Sequence, residues 1–204
     1  MILVGKPGSG RKTFAKMFPE LTSFSISDNV KKVIKVAQIQ GEKKAVDYIQ
    51  NKTGKYDRFM KYLLSYAYSC KGYGINDKIF YVVKGGFMNI DPYFWVDWLD
   101  ADIQDAHNPP YIITDVMYHN EFDHYKNDIS IFIDCNTKAR KKRLMKDGIN
   151  VKNIGNNEVD LFCNQCTYIV KNHRNVLKEL REKANLVKKR QYLLKGRDLY
   201  KEET

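Results

Sequence analysis

Residues 1–18 read MILVGKPGSGRKTFAKMF, an apolar run followed by a glycine-rich turn and then by a segment with helical character. The apolar run at 2–4 predicts a short buried strand. Gly5, Gly8 and Gly10 allow the backbone to fold back tightly, so that successive N–H groups point at one anion. The helix that follows adds the positive end of its dipole. The stretch therefore predicts a strand, a phosphate-binding loop and a helix, in that order.

The loop fits the standard pattern G-x-x-x-x-G-K-[ST] in two registers. In the first register, Gly5 and Gly10 occupy the glycine positions and Arg11 takes the place of the lysine. In the second, residues 12–13 supply the Lys-Thr pair, but Lys6 and Arg11 stand where the pattern has glycine. We favour the first register because it keeps the glycines that the backbone geometry needs. The alternatives are a glycine turn with no ligand and a loop that binds without catalysis.

A second landmark is an apolar segment that ends in a carboxylate. Residues 111–115 read YIITD, so a strand is predicted to end at Asp115. Ligands of parallel sheets bind at the carboxyl ends of the strands, where the glycine loop also falls. A carboxylate at that edge holds Mg²⁺, directly or through water, beside a hydroxyl of the loop. We predict a magnesium site at Asp115 and Thr13, although Thr13 falls one residue beyond the usual position of that hydroxyl.

The composition is typical of a globular protein of 204 residues, with 43% hydrophobic and 13% aromatic residues. This length fits one domain, or one core with a small insert. No apolar run approaches the ~20 residues that cross a bilayer, and the N-terminal apolar run is too short for a signal peptide. We expect a cytoplasmic protein with no membrane partner.

The four cysteines fit a reducing compartment. Cys163 and Cys166 have the spacing of half a zinc site, but no second half follows at a suitable distance in the sequence. We expect ordinary thiols, with a zinc site as the alternative.

The formal net charge is +11, and much of the excess lies in the second half of the chain. The basic residues concerned are Lys138, Arg140, Lys141, Lys142, Arg143, Lys146, Lys188, Lys189, Arg190, Lys195, Arg197 and Lys201. A basic surface attracts nucleic acid, nucleotides or acidic partners, and it does not choose between them. Solvated helix faces are the alternative explanation for the C-terminal run.

Strand-like and helix-like segments alternate along the chain, which predicts parallel strands joined by right-handed crossovers. Further strands are predicted in three short apolar segments, at 21–26, 129–133 and 168–170. Helices are predicted where apolar residues have helical spacing, at 11–18, from a Ser27-Asp28 cap onward, across 40–70, at 92–104, at 137–145 and from 175. Residues 79–83 fit either a strand or a helix. The predicted fold class is an α/β three-layer sandwich with a mostly parallel sheet.

Several short motifs, taken in order, carry a family resemblance. The loop matches the adenylate-kinase style pattern G-x-P-G-S-G-K-x-T at Gly5, Pro7, Gly8, Ser9, Gly10 and Thr13. Residues 27–31 and 115–121 stand where a family of kinases has A-D-P-L-K-like and D-V-R-F-x-N-E-like stretches. Segments 95–99 and 168–172 follow the same order. Together these motifs resemble the deoxynucleoside monophosphate kinases of phages, within the wider group of nucleoside monophosphate and dephospho-coenzyme A kinases.

The resemblance implies a P-loop NTPase fold and an enzyme that transfers the γ-phosphoryl group of ATP, with Mg²⁺, to a deoxynucleoside monophosphate. The residues implied to bind ATP are Gly5, Gly8, Ser9, Gly10, Arg11, Lys12 and Thr13. The residues implied to bind the acceptor nucleotide, in a cleft walled by middle helices, are Asp28, Lys31, Lys84 and Trp95. The residues implied to act in catalysis are Arg11, Lys12, Asp115, Arg140 and Arg143.

The resemblance also implies an organisation of the chain. Residues 1–204 are expected to form a single kinase-like domain. A helical substrate-binding insert is expected at about 30–108, and a lid-like segment at about 137–160, whose Arg140 and Arg143 neutralise the transferring phosphoryl group. A homodimer is kept as one alternative for the assembly of the chain.

Several of these residues also have a purely structural explanation. Asp28 is also explained as a plain helix cap, and Trp95 and Trp98 are also explained as core residues. Arg140 and Arg143 are also explained as part of a solvated basic helix.

Two residues depart from the family pattern. Arg11 replaces the loop lysine, and Met117 stands where an arginine is expected two residues after Asp115. Lys12 or Lys84 are candidates to compensate, since removing a key charge stabiliser costs several powers of ten in rate. A catalytically weak or inactive relative, which binds nucleic acid or a protein partner through its basic surface, is therefore the second hypothesis.

Overall fold

The structure is a computed structural model that describes residues 1–146, 158–173 and 177–199, of which residues 158, 177 and 190–199 are described by their backbone alone. Lys201 and residues 147–157 of the predicted lid-like segment lie outside the described residues. The side chains of Arg190, Lys195 and Arg197 lie outside them as well.

Within the described part of the chain, five strands form one sheet, namely β1 (Ile2–Val4), β2 (Thr22–Phe24), β3 (Tyr111–Val116), β4 (Ser130–Asp134) and β5 (Tyr168–Lys171). Their order across the sheet is β2-β3-β1-β4-β5. β1 pairs in parallel with β4, which places Leu3 opposite Ile131, and β4 pairs in parallel with β5, which places Phe132 opposite Ile169. The α/β class with a parallel sheet is confirmed.

The helices that connect these strands are α1 (Arg11–Ala15), α2 (Ile26–Gln40), α3 (Glu42–Thr53), α4 (Arg58–Ser69), α5 (Asp77–Ile90), α6 (Phe94–Asp105), α7 (His119–His124), α8 (Thr137–Lys146) and α9 (Leu177–Leu199). Short 3₁₀ segments lie at Lys71–Tyr73 and Glu158–Gln165. Among the residues that are described, no helix is both long and apolar enough to span a bilayer.

The start of α2 differs from the sequence prediction, and the start of α5 decides between the two structures predicted for residues 79–83. The cap of α2 is Ser25, whose Oγ accepts from the N–H of Asp28 at 3.3 Å, so the predicted Ser27-Asp28 cap is wrong. The reason is that β2 already ends at Phe24, which makes Ser25 the first residue after the strand. Residues 79–83 are helical, because Asn76 caps α5 by accepting from the N–H of Ile79 at 3.0 Å.

Contacts divide the chain into two compact units. The first, here called the loop unit, comprises Met1–Ser23 and Thr114–Thr204. The second, here called the helical unit, comprises Phe24–Ile113. The helical insert predicted at about 30–108 falls within the helical unit.

The core of the helical unit is built around aromatic rings of α5 and α6. Trp95 stacks on Trp98 with ring centroids 5.9 Å apart and an interplanar angle of 22°. Phe94 meets the edge of Trp95 at 4.9 Å, and Phe87 lies 5.2 Å from Trp95. Such pairs add about 0.5–1.5 kcal/mol each beyond the apolar area that they bury.

Ion pairs connect α6 to the last turn of α3 and to Lys55, two residues after the end of α3. Lys52 contacts Asp102 at 3.1 Å and Asp105 at 2.7 Å, and the hydrogen bonds that it donates to Asp105 and Asp102 raise its pKa. Lys55 contacts Asp97 at 2.6 Å. These pairs are largely exposed to solvent, so they orient the helices more than they stabilise them.

Adjacent glycines of α5 provide a test of how α4 and α5 pack. A Cβ on Gly85 meets nothing within 4 Å, whereas a Cβ on Gly86 lies 2.6 Å from Cδ1 and Cδ2 of Leu63. Gly85→Ala is expected to raise the free energy of unfolding by about 1 kcal/mol through helix propensity. Gly86→Ala is expected to lower it, since overpacking costs about 1–3 kcal/mol. Urea unfolding followed by circular dichroism compares the two, and equal stabilisation by both would contradict this packing.

Candidate phosphate-binding site

The loop between β1 and α1 has the backbone that its glycines predict. The φ angle is +76° at Gly8 and +101° at Gly10, values that residues with a Cβ rarely adopt. Neither Lys6 nor Arg11 has a positive φ, whereas Gly5 has a φ of +151°. The angles therefore agree with the first register of the motif.

The loop also lies in close contact with α8 and with the end of β5. A Cβ on Gly8 would sit 2.9 Å from Cγ of Leu144 and 3.0 Å from the carbonyl oxygen of Arg140. A Cβ on Gly10 would sit 2.5 Å from Nδ2 of Asn172. Packing therefore requires glycine at both positions, in addition to the φ angle.

Arginines of α8 donate to three successive carbonyl groups of the loop. Nε of Arg140 donates to the carbonyl oxygen of Pro7 at 2.9 Å. Nη1 of Arg143 lies 3.0 Å from the carbonyl oxygen of Gly8 and 2.9 Å from that of Ser9. All three carbonyls are thus turned toward α8.

The residue that follows β5 holds the same part of the loop. Nδ2 of Asn172 donates to the carbonyl oxygen of Ser9 at 2.7 Å. Its backbone N–H donates to the carbonyl oxygen of Asp134 at 2.7 Å, and its own carbonyl accepts from Nη2 of Arg143 at 3.0 Å. Asn172 is buried, so these bonds are made away from bulk water.

These contacts set the direction of the loop N–H groups. In a trans peptide plane, the C=O of one residue and the N–H of the next point in opposite directions. The anchored carbonyls of Pro7 and Ser9 therefore turn the N–H groups of Gly8 and Gly10 to the inner side of the loop, away from α8. The N–H of Ser9 donates instead to the carbonyl oxygen of Lys6 at 3.0 Å. Backbone N–H groups turned to one side form a concave surface that binds anions.

Arg11, at the cationic position of the motif, contacts β3. Its Nη1 donates to the carbonyl oxygen of Val116 at 3.4 Å. Val116 follows Asp115, whose side chain is buried. Lys12 and Thr13 are exposed on α1, and Thr13 lines a cavity of about 460 Å³ between α1 and α9. The structure thus brings Arg11 to the strand that carries Asp115.

The guanidinium of Arg140 is buried beside the loop. This side chain is only 6% exposed, and burial lowers its pKa, with partial compensation from Cys135 and Asp160. Within the described residues, no carboxylate lies at salt-bridge distance from Arg140. The alternative that Arg140 belongs to a solvated helix face is therefore wrong. Burying a cation without a carboxylate partner is costly.

The residues predicted to bind an acceptor lie in the helical unit and differ in accessibility. Asp28 and Lys31 are exposed in the first turns of α2. Lys84 is 0% exposed and Trp95 is 1% exposed, with Nε1 of Trp95 donating to the carbonyl oxygen of Lys84 at 3.0 Å. The core role that the sequence left open for Trp95 and Trp98 is the one observed. As the chain is folded, Lys84 and Trp95 offer no face to a nucleotide.

Sequence reasoning assigned no role to Asn172, Cys135 or Glu121. Cys135 Sγ accepts from Nη1 of Arg143 at 3.2 Å. Oε2 of Glu121 accepts from the N–H groups of Met117 at 2.8 Å and of Tyr118 at 3.2 Å, which caps the unpredicted helix α7. The signal for Asn172 is its place directly after a parallel strand, at the edge where ligands bind. The signal for α7 is a glutamate three residues after its cap.

The chain resembles solved structures in fold but matches no known family by sequence. No protein-family model matches the chain, and no curated protein matches it. A solved structure similar to this chain is the dephospho-CoA kinase from Campylobacter jejuni, at 16% sequence identity. The similarity covers 93% of this chain and 95% of that chain, with a TM-score of 0.47.

The cysteines have the properties of ordinary thiols. All four are free, and burial raises the pKa of Cys135 and Cys163. Burial raises the pKa of Cys166 to about 11, although Ser130 hydrogen-bonds to it. A thiol that stays protonated at neutral pH is a poor metal ligand. In the ranges that the structure describes, no group of three or more His, Cys, Asp or Glu is placed to hold a metal, so the zinc alternative gains no support.

Alkylation of Cys166 by iodoacetamide tests this environment. At pH 8 we expect a rate about 250-fold below that of the urea-unfolded chain, because the thiolate fraction is about a thousandth instead of about a quarter. The rate in the folded protein should rise about tenfold per pH unit between pH 8 and 10. Peptide mapping by mass spectrometry measures it, and a rate that levels off below pH 10 would contradict the raised pKa.

Proposed function

We propose that the loop between β1 and α1 binds the phosphates of ATP, and that the protein transfers the γ-phosphoryl group to a deoxynucleoside monophosphate. The products are ADP and a deoxynucleoside diphosphate. The observation that carries the proposal is the row of anchored carbonyls at Pro7, Gly8 and Ser9. This row turns the N–H groups of Gly8 and Gly10 to one side, which is the arrangement that binds phosphate oxygens.

Two further groups fit an anion at the loop. The hydroxyl of Ser9 is buried and makes no hydrogen bond within the described residues. It lies beside Gly5, where a Cβ would be 2.9 Å from Oγ. Arg140 is the second group, because its buried guanidinium adds positive potential from behind the loop. A hydrogen bond from the Ser9 hydroxyl to a phosphate oxygen would be charge-assisted and therefore strong.

Asp115 fits the role of a magnesium ligand. It is a buried carboxylate near the carboxyl end of β3, and Mg²⁺ is usually held by one or two carboxylates together with waters and substrate phosphates. Thr13 remains the second predicted ligand. When bound, Mg²⁺ would neutralise charge on the β- and γ-phosphates.

The remaining chemistry asked of the chain is positioning and positive charge. Phosphoryl transfer needs no covalent intermediate on the protein, because catalysis comes from alignment and electrostatic stabilisation. Arg11 and Lys12 begin α1 directly after the loop, and Arg140 and Arg143 contact the loop carbonyls from α8. Arg11 and Lys12 are the proposed source of charge stabilisation at the phosphates, and Arg140 adds positive potential from behind the loop.

The acceptor is proposed to bind at the start of α2. Asp28 and Lys31 are three residues apart on this helix, so they lie on one face. A carboxylate there accepts hydrogen bonds from a base or sugar, and an ammonium pairs with a monophosphate. The motif at 27–31 is also one of those that resemble deoxynucleoside monophosphate kinases.

The test of the kinase is ADP release with ATP, Mg²⁺ and each deoxynucleoside monophosphate in turn, against a sample without acceptor. We expect acceptor-dependent turnover in the parent. Arg11→Met and Asp115→Asn should each lower kcat by at least about a hundredfold, since each removes a charge placed at the reacting phosphates. Circular dichroism should show that both variants remain folded.

Matched controls make the same chemical changes at exposed positions of the loop unit. Lys126→Met and Asp123→Asn should retain the turnover of the parent, because neither residue contacts the loop in the described structure. Full activity in Asp115→Asn would contradict the magnesium assignment. Measurable ATP binding without turnover on any acceptor would instead identify a catalytically silent relative.

The exposed face of α8 favours a second candidate function, the binding of nucleic acid. α8 contains no acidic residue, and Lys138, Lys141 and Lys142 are exposed on it. With Thr137 and Met145 they line an open depression of about 500 Å³. A row of solvated ammonium groups of this kind pairs with the phosphates of a polynucleotide.

Replacing Lys138, Lys141 and Lys142 by Glu should abolish binding of a fluorescent single-stranded oligonucleotide, measured by anisotropy. In the parent, three phosphate contacts predict that log K falls with log[salt] at a slope of about −2. The control replaces three exposed lysines of the helical unit, Lys43, Lys44 and Lys78, by Glu. Equal loss in both triple variants would show that net charge, and not α8, attracts the polynucleotide.

A further inference from the structure

We infer that Arg143 and Asn172 are positioning residues, which aim the N–H groups of the loop at the phosphates without serving as phosphate ligands themselves. The inference rests on the proposed function. Arg143 would then orient the loop and not neutralise the transferring phosphoryl group as a lid cation does, and Asn172 would share that orienting role. The reason lies in what the two side chains contact.

Ser9 is the point where both residues act. Its carbonyl oxygen accepts from Nη1 of Arg143 at 2.9 Å and from Nδ2 of Asn172 at 2.7 Å. The two donors come from different elements, α8 and the residue after β5, so the peptide plane between Ser9 and Gly10 is held from two directions. The N–H of Gly10 belongs to this plane, and its direction is therefore fixed before any ligand arrives.

Arg143 links this plane to the rest of the framework. Its guanidinium also contacts the carbonyl oxygens of Gly8 and Asn172, both at 3.0 Å, and Sγ of Cys135 at 3.2 Å. A planar guanidinium reaches several acceptors in fixed directions, which the point charge of a lysine does not. Its shape as well as its charge is therefore used at the loop.

Asn172 is neutral, so a variant at this position distinguishes positioning of the loop from electrostatic attraction of the phosphates. A cation that binds phosphate by charge loses its effect when the charge is removed, and an uncharged neighbour should not reproduce that loss. A positioning pair behaves differently, since removing either member frees the same peptide plane. The neutral variant Asn172→Ala should therefore reproduce the effect of Arg143→Lys, which keeps the charge and loses the planar fork.

The experiment measures the Kd of the whole protein for ATP and for inorganic triphosphate by calorimetry. Arg143→Lys and Asn172→Ala should each weaken both ligands by about tenfold or more, as expected for losing a hydrogen bond that involves a charged or buried group. The double variant should lose less than the product of the two single losses, because both act on Ser9. The matched controls are Lys126→Met and Asn127→Ala, an exposed pair in the loop unit, which should bind as the parent does.

A second readout follows the loop directly. The chain has 12 glycines, so protein labelled with ¹⁵N-glycine gives a simple amide spectrum, in which Gly8 and Gly10 are assigned by triple-resonance experiments on uniformly labelled protein. In the parent, triphosphate should shift both signals strongly. In Arg143→Lys and Asn172→Ala, the signal of Gly10 should differ before ligand is added and should shift less at saturation.

The outcomes separate the two proposals. A parent that binds neither ATP nor triphosphate overturns the proposed function and this inference with it. A parent that binds, with Arg143→Lys and Asn172→Ala binding equally well, overturns the inference alone. A lower melting temperature with unchanged Kd also overturns it, because that result assigns the two residues to stability only.

Discussion

The planarity of the peptide bond is the constraint on which the candidate site depends. A loop binds an anion when several N–H groups face the same side, and that requires the preceding carbonyls to face the other side. Those carbonyls need donors, because buried backbone oxygens are rarely left unpaired. Arg140, Arg143 and Asn172 supply them at Pro7, Gly8 and Ser9. The proposed phosphate-binding surface is therefore held from its far side, by residues more than 120 positions away in the sequence.

Local chemistry explains why much of the fold was predictable. Parallel strands in this chain are short apolar runs, and the helices show buried residues at helical spacing, so their existence follows from nearby residues. The failures also have local causes. The cap of α2 shifted to Ser25 because β2 is shorter than its apolar pattern, and residues 79–83 remained ambiguous until the cap at Asn76 was considered. The helix α7 has six residues, too few for a periodic pattern, and only the Glu121 cap marks it.

The glycine loop of the candidate site could be predicted from the sequence, but the residues of α8 and β5 that hold the loop could not. Glycine favours positive φ angles, so the spacing of the glycines in the sequence was enough to predict the loop. Arg140 and Lys141 are neighbours in a run of basic residues, yet one is buried against the loop and the other is exposed. Only the direction in which α8 packs separates them, and that direction is set by distant contacts such as Leu144 on Gly8. Trp95 is a similar case, because a tryptophan can stack on a nucleobase, and only the packing of the helical unit shows that this one lies in the core.

The two departures from the kinase pattern, Arg11 and Met117, meet at the end of β3. Met117 is buried and its N–H donates to Glu121, so this position starts the turn into α7 and presents no cation. Arg11 donates to the carbonyl oxygen of Val116, the residue immediately before Met117, which brings a guanidinium from the loop to the same strand end. A guanidinium from α1 therefore lies at the end of β3, so the absence of an arginine at 117 does not leave this strand end without a cation.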